Sequence, residues 1–351
     1  MQTVVVGLSG GVDSSVSAYL LKQQGYKVIG LHMLGENQET KAEDEQRVKD
    51  LCKMLDIECV VVDYQNYMQT VKDYFINEYL SGRTPNPCVI CNREVKFKPF
   101  IKYMQELNAD YFATGHYAKI EHTASGTYLK KAIDASKDQS YFLCQLSNQQ
   151  LSKVLFPLGE LTKEEVKKIA KANNLVNEQT KESYDVCFLG SQKFKDYMQQ
   201  NHPEKPGRIV DIQTNKVVGE HTGISKYTIG QRKGLNVGGV KGCDDARWFV
   251  VKKDISTNTL YVSCGEAEQL YSSSCVVTNF NWITKPTTAE CLVKLRYRQP
   301  DQATTFKELE NGDIVLNFKQ PQKAVTVGQF AVLYLEDGTC LGGGTINQTI
   351  K

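Results

Sequence analysis

Two kinds of residue in this sequence are spaced for chemistry. The first is Ser9-Gly-Gly-Val-Asp-Ser14, a turn with two hydroxyls, two adjacent glycines and one carboxylate. Glycines let a backbone approach a ligand closely, and hydroxyls and turn amides donate hydrogen bonds, so such a turn suits an anion. The second kind is thiol. Cys88 and Cys91 stand three apart in the Pro-broken stretch Arg83-Thr-Pro-Asn-Pro-Cys-Val-Ile-Cys-Asn92, and Cys187 lies in Ser183-Tyr-Asp-Val-Cys-Phe-Leu-Gly190. Prolines give such a loop a fixed, exposed shape. Sulfur transfer needs one thiol to carry a persulfide sulfur and another to resolve or attack it. The other cysteines, Cys52 and Cys59 among them, are expected to be buried and inert. The Cys88–Cys91 spacing is of metal type, but a structural zinc site needs a second pair and none is found.

The elements that must position these groups alternate along the first 200 residues. Thr3 to Gly7 reads as a buried strand, followed after the Ser9–Ser14 turn by a helix carrying Val16, Tyr19 and Leu20 and closed by Gly25. Lys27 to Met33 and Glu58 to Asp63 are further strands, separated by a helix with Val48, Leu51, Cys52 and Leu55 on one face. A helix containing Ile101, Met104 and Leu107 leads to a fourth strand at Asp110 to Thr114. This alternation predicts a parallel sheet covered on both faces, with ligands at the carboxyl ends of its strands. There the helix N-terminus offers free amides and positive dipole to an anion. His32 and Met33 end the second strand at that edge, where taken alone they read as core or rim residues. Thr162-Lys-Glu-Glu165 reads as a capping box opening a helix with Val166, Ile169 and Ala170, a purely structural signal.

From about Gly207 the pattern turns β-rich, with Arg208–Ile212, Trp248–Lys252 and Thr259–Val262 as short strands. After about Ser274 it is all strand: Cys275–Phe280, Ala289–Leu295, Ala303–Leu309, Asp313–Phe318 and Phe330–Leu335, which suggests a small barrel. The chain has 351 residues, 41% hydrophobic and 23% charged, the composition of a soluble globular protein able to bury a sizeable core. No basic or apolar leader precedes the first strand, and no apolar run is long enough to cross a bilayer. A cytoplasmic protein with no membrane partner is expected. Eleven cysteines, an odd number, argue against a disulfide framework. The net charge is +2, but residues 201–300 carry 14 basic against 9 acidic side chains, a surplus that fits a polyanion partner and a solvated surface almost equally.

The Ser9–Ser14 turn lacks the lysine of a Walker loop. It resembles instead the S-G-G-x-D-S pyrophosphate loop of the ATP pyrophosphatase group, whose members split ATP between the α and β phosphates and make adenylated intermediates. That resemblance implies ATP, with Mg²⁺ on its phosphates. Taken alone it leaves open an amidating synthetase, a tRNA lysidine synthetase-like enzyme, or a non-catalytic tRNA-binding protein with a vestigial loop. Further segments narrow the choice: Ala113-Thr-Gly-His-Tyr117, Lys137-Asp-Gln-Ser-Tyr-Phe-Leu143, Cys187-Phe-Leu-Gly190, Tyr227-Thr-Ile-Gly-Gln-Arg-Lys-Gly-Leu235, Arg296-Tyr297 and Val327-Gly-Gln329. With these in order along essentially its whole length, the chain resembles the bacterial tRNA-specific 2-thiouridylase family.

That resemblance implies an α/β architecture. An adenine-nucleotide α-hydrolase-like catalytic domain over 1–204 precedes a small β-rich tRNA-binding domain over 205–273 and a C-terminal β-barrel over 274–351. It implies ATP-dependent adenylation of the C2 oxygen of the wobble uridine (U34), then persulfide sulfur transfer giving 2-thiouridine, AMP and pyrophosphate. Gly7, Leu8, Ser9, Gly10, Gly11, Val12, Asp13, Ser14, Met33 and Gly115 match ATP contacts. Cys91 matches the nucleophile and Cys187 the cysteine bearing the persulfide. Asn86, Pro87 and Cys88 match the surroundings of the target base. His116, Lys137, Asp138, Gln139, Arg296, Tyr297 and Gln329 match tRNA contacts. A cysteine desulfurase or a persulfide relay protein is the implied sulfur donor. The commoner family loop has an acid where this chain has Cys88. A thiol titrates near ~8.5, a poorer fit to general acid/base work. Cys88 is then a third reactive thiol, a spare one with the proton left to water or ATP, or a ligand with Cys91 and Cys187 of an iron–sulfur cluster.

Overall fold

β-Branched residues set the central strand. Thr3–Gly7 (β1) buries three consecutive valines, as a strand covered on both faces must. The computed structural model describes all residues except 35–37, 64, 125, 176–185, 190, 191 and 238–246, and the side chains of 38–40, 65, 66 and 187. The chain continues through Lys27–Leu34 (β2), Glu58–Asp63 (β3), Tyr111–Ala113 (β4), the hairpin Ala118–Thr123 (β5) and Gly126–Lys131 (β6), and Val154–Leu155 (β7). Strands β3-β2-β1-β4-β7 form one parallel sheet, as the alternation predicts.

Successive valines of β1 face opposite layers. Val4 and Val6 pack with Val12–Gln23 (α1), Gln38–Met54 (α2) and, later in the chain, the helix Lys163–Ala172. Val5 and Leu31 pack with Gln65–Leu80 (α3), Pro87–Ile90 (α4) and Lys98–Glu106 (α5). This second layer does not stop at the sheet. It runs on through Leu129 of β6 to Phe330, Val332, Tyr334 and Cys340, so the first domain and the C-terminal barrel share one core. Tyr141 donates to the Phe330 carbonyl at 2.9 Å and Gln145 to the Gly343 carbonyl at 2.6 Å across the same seam.

The central unit is a four-stranded sheet of Gly207–Asp211 (β8), Val217–His221 (β9), Trp248–Asp254 (β10) and Thr259–Cys264 (β11), in the order β10-β11-β8-β9. Cys264 is disulfide-bonded, a single bridged position rather than a disulfide framework among the described residues. The last unit comprises Tyr271–Trp282 (β12), Glu290–Lys294 (β13), Gln302–Glu308 (β14), Ile314–Lys323 (β15), Phe330–Tyr334 (β16) and Thr339–Ile350 (β17). Because β12 pairs with both β15 and β17, these six close into the expected barrel. The β5–β6 hairpin, absent from the sequence-based expectation, extends the barrel sheet by pairing Leu129 with Cys340 and Lys130 with Thr339. No helix among the described residues is long and apolar enough to cross a membrane.

Candidate active site

β1 ends at Gly7 and α1 begins at Val12, so the intervening turn lies at the carboxyl edge of the central strand. Gly10 adopts φ +77°, a left-handed conformation that costs glycine little. Gly11 is the helix N-cap and supplies no side-chain cap, which leaves the first-turn amides for an anion. The Ser9 amide donates to the Ser14 hydroxyl at 3.2 Å, and that hydroxyl donates to the Gly11 carbonyl at 3.1 Å. Gly115, just past β4, backs the turn: a Cβ there would lie 2.9 Å from backbone atoms of Asp13 and Ser14. The Asp13 carboxylate receives Lys163 Nζ at 2.7 and 2.9 Å and the Tyr117 hydroxyl at 2.9 Å.

The thiol loop is held from the other two domains. The Thr84 amide donates to the Val327 carbonyl at 2.9 Å. Gln329 Nε2 donates to the Thr84 and Pro85 carbonyls at 2.9 and 3.0 Å. Arg83 spans Glu78 at 2.7 Å and Asn347 at 3.0 Å, and the Thr84 and Thr228 hydroxyls meet at 3.3 Å. Between these bonds Gly328 takes φ +94°, and a Cβ on it would come within 2.9 Å of the Thr84 backbone. Pro87 then opens α4, at a helix position where its missing N–H costs nothing. After one turn the chain widens into a π-helical segment, Cys91–Phe97, a geometry concentrated at functional sites. Residues three apart share a helix face, so exposed Cys88 and buried Cys91 open on one side.

That side is a cavity of about 520 Å³, within the range of small-molecule sites. Ser9, Asp13 and Ser14 line one part, Leu31, Met33, Met68, Val71 and Phe100 give an apolar wall, and Cys88, Cys91 and Phe142 line another part. Val186 and Phe188, on either side of Cys187, line it too. The backbone of Cys187 lies in the short turn Cys187–Leu189; its side chain falls outside the described residues. Phe188 anchors that turn edge-on to Phe75 of α3, with centroids 5.2 Å apart. His116 is buried in the wall, with Nδ1 2.7 Å from the Thr114 hydroxyl. Burial, helped by the nearby Lys96 cation, holds its imidazole well below the ordinary range, so the ring is neutral at neutral pH. Asn92 donates to the Phe142 carbonyl at 3.1 Å, while its buried Oδ1 has no hydrogen-bond partner among the described residues.

Of the expected nucleotide contacts, Gly7, Leu8, Ser9, Asp13, Ser14, Met33 and Gly115 line the cavity, whereas Gly10, Gly11 and Val12 build the turn without lining it. Of the expected RNA contacts, Pro87, Cys88, His116 and Gln139 line it. Asn86 is the N-cap of α4, outside the lining. Tyr297 stands one ring behind, 4.3 Å from Phe142 centroid to centroid. Gln329 is bonded to the thiol loop, and Arg296 donates to the Ala324 carbonyl at the seam with the central unit. Lys137 sits in the Asp134–Asp138 turn. Asp138 departs from the expectation of a tRNA contact. It is 3% exposed, and its carboxylate accepts from the Ala132 and Ser140 amides and the Ser140 hydroxyl, which makes it an internal brace. Among the described residues no three His, Cys, Asp or Glu side chains could hold a metal ion; the iron–sulfur reading requires Cys187, whose side chain is not described. Sequence reasoning missed Lys163. The capping box is present, with Glu165 accepting from the Thr162 amide at 2.7 Å, but its second residue reaches the phosphate turn.

A parallel sheet, a glycine turn at its central carboxyl edge and an adjoining apolar cavity define a nucleotide-using HUP-type enzyme. Residues 2–191 match the model of a tRNA methyl transferase HUP domain, residues 195–264 a tRNA methyl transferase PRC-barrel domain, and residues 272–346 an aminomethyltransferase beta-barrel domain. The chain is 44% identical to the tRNA-specific 2-thiouridylase MnmA of Alkaliphilus oremlandii, covering 99% of this chain and 98% of that one. It is 45% identical to the MnmA of Mycoplasma capricolum over the full length of both. This chain therefore belongs to the tRNA-specific 2-thiouridylase family. Membership sets aside the amidating, lysidine-forming and non-catalytic readings that the turn alone left open. Solved structures give more distant likenesses. They include U34-tRNA thiolase NcsA from Methanococcus maripaludis with its 4Fe-4S cluster (22% identity, TM-score 0.36, 57% of this chain and 67% of that one). Another is a 4-thiouridine synthetase–RNA complex with bound ATP (19%, 0.35, 50% and 41%).

Proposed function

We propose that this protein uses ATP to replace the C2 oxygen of the wobble uridine of tRNA by sulfur. One observation carries the reading: a single cavity is lined by the Ser9–Ser14 phosphate turn, by Cys88 and Cys91, and by both neighbours of Cys187. An oxygen on uracil C2 is a poor leaving group. Its attack on the α-phosphate of ATP, held by the turn amides and the Ser9 and Ser14 hydroxyls, makes it an adenylate and releases pyrophosphate. The base must leave the anticodon stack to reach the cavity, where Phe142, His116 and Gln139 face it.

Sulfur arrives as a persulfide on Cys187, delivered by a cysteine desulfurase or a relay protein. Its terminal sulfur attacks C2, and AMP leaves with the former C2 oxygen. Cys91 then attacks Sγ of Cys187. The bond between the two sulfurs of the persulfide breaks, 2-thiouridine is freed, and a Cys91–Cys187 disulfide remains for an external thiol to reopen. The two electrons that reduce the sulfane sulfur come from the two thiols. Cys88 stands beside Cys91 as a third thiol at the position of the usual acid. Mg²⁺ would ride on the phosphate oxygens. Asp13, the one carboxylate lining the cavity among the described residues, is occupied by Lys163 and Tyr117. The Lys137, Arg296, Tyr297 and Gln329 positions would guide tRNA around the cavity mouth, and the protein would work in the cytoplasm.

Mass analysis of anticodon nucleosides after incubation of tRNA with ATP and a persulfide donor tests the function. The expected product is 2-thiouridine at the wobble position, formed only with ATP. ATP cleavage with no thionucleoside, or thiolation without ATP, contradicts it.

A further inference from the structure

Lys163 is absent from the cavity wall, yet it is bound to a residue of that wall. Its Nζ lies 2.7 and 2.9 Å from the two Asp13 oxygens across 150 residues of sequence. The fold fixes this reach. Lys163 is the first residue of its helix, which is set by the reciprocal Thr162–Glu165 cap, and its amide donates to Asp134 at 3.0 Å. The Lys163 side chain is 10% exposed and that of Asp13 35%. Tyr117, also off the wall, gives Asp13 its third bond. Asp13 thus lines the cavity while a cation and a phenol from outside the lining hold it.

We propose that Lys163 is a positioning residue for the nucleotide. It cancels and orients the Asp13 carboxylate so that the turn can receive a triphosphate. The inference rests on the nucleotide reading above and extends it to a residue outside the phosphate motif. A carboxylate beside an anion-binding helix end opposes the anion unless its charge is met. This turn has no lysine of its own, and the cation comes from a different helix. With Lys163 outside the cavity lining and bonded to Asp13, its action on ATP passes through that carboxylate.

ATP binding to the full-length protein, measured by titration calorimetry without tRNA, separates the possibilities. Lys163→Met strands the acid and is expected to weaken ATP binding roughly ten- to a hundredfold. In steady state this raises the KM for ATP more than it lowers kcat. Lys163→Arg keeps the charge and retains most of the affinity. The decisive variant is Lys163→Met with Asp13→Asn: with no charge left to repel, it binds ATP more tightly than Lys163→Met alone. It also leaves neither member of the Lys163–Asp13 pair charged without the other. ATP affinity unchanged in Lys163→Met overturns the proposal. So does a double variant that binds no better than Lys163→Met. Failure of the wild-type protein to bind ATP would instead break the nucleotide reading itself.

Discussion

Gly328→Ala tests whether the C-terminal barrel positions the thiol loop. At φ +94° any side chain strains the backbone, at a cost of about 1–2 kcal/mol for a left-handed alanine. The new Cβ would also sit 2.9 Å from the nitrogen and oxygen of Thr84, where carbon contacts need roughly 3.5 Å. Backbone cannot rotate aside as a side chain can, so Thr84 and Pro85 must withdraw by about half an ångström or more. Withdrawal lengthens the Thr84–Val327 bond and both Gln329 bonds, and it carries α4 with Cys88 and Cys91. A displacement of about 1 Å at reacting groups can cost on the order of a hundredfold in rate. Single-turnover thiolation is therefore expected to fall about ten- to a hundredfold, while ATP binding stays within about twofold of wild type. Gly312→Ala is the control: φ there is +83° with nothing within 4 Å, so it imposes the strain without the clash and leaves thiolation intact. Wild-type thiolation by Gly328→Ala, or parallel loss of ATP binding, refutes the brace.

Other outcomes follow from the same geometry. Cys187→Ser should abolish thionucleoside formation and leave ATP binding unchanged; full thiolation by this variant removes Cys187 from the reaction. Tyr117→Phe deletes the 2.9 Å bond to Asp13 but leaves the Lys163 pair. It should weaken ATP binding about fivefold, corresponding to about 1 kcal/mol, by the same calorimetric titration. His116 titrates below its unfolded value because burial disfavours the imidazolium. Below pH ~6.5 the unfolded chain takes up a proton that the folded chain refuses, so stability present above that pH is lost as pH falls, by at most about 1.4 kcal/mol per unit. Urea midpoints at pH 7.5 and 5.5 should converge in His116→Gln relative to wild type; an equally steep acid loss in the variant contradicts this.

The sheet domain was legible because its signals are local. A valine run, a glycine turn and helical periodicity each declare themselves within a few residues, and β1, β2, β3 and α1 lie where those signals put them. The six-stranded barrel was legible as a class, but β17 was not. Its Gly342-Gly-Gly344 stretch lacks strand-forming side chains, and it is a strand because β12, β16 and β6 all pair with it. The β5–β6 hairpin was hidden for a related reason: its sheet partner lies some 210 residues further on, between Leu129 and Cys340. In the site, Lys163 and the Gly328–Thr84 contact are long-range pairings with no periodic trace. Asp138 matched a tRNA contact by resemblance, and sequence does not reveal that three donors surround it.

Peptide mapping after one turnover tests the central claim most directly. Protein loaded with a persulfide donor is mixed with ATP and excess tRNA without reductant, quenched with an alkylating agent and digested. The account predicts a Cys91–Cys187 disulfide in equal amount to the 2-thiouridine formed, and neither without ATP. Thiouridine accumulating while both cysteines are recovered alkylated would contradict it.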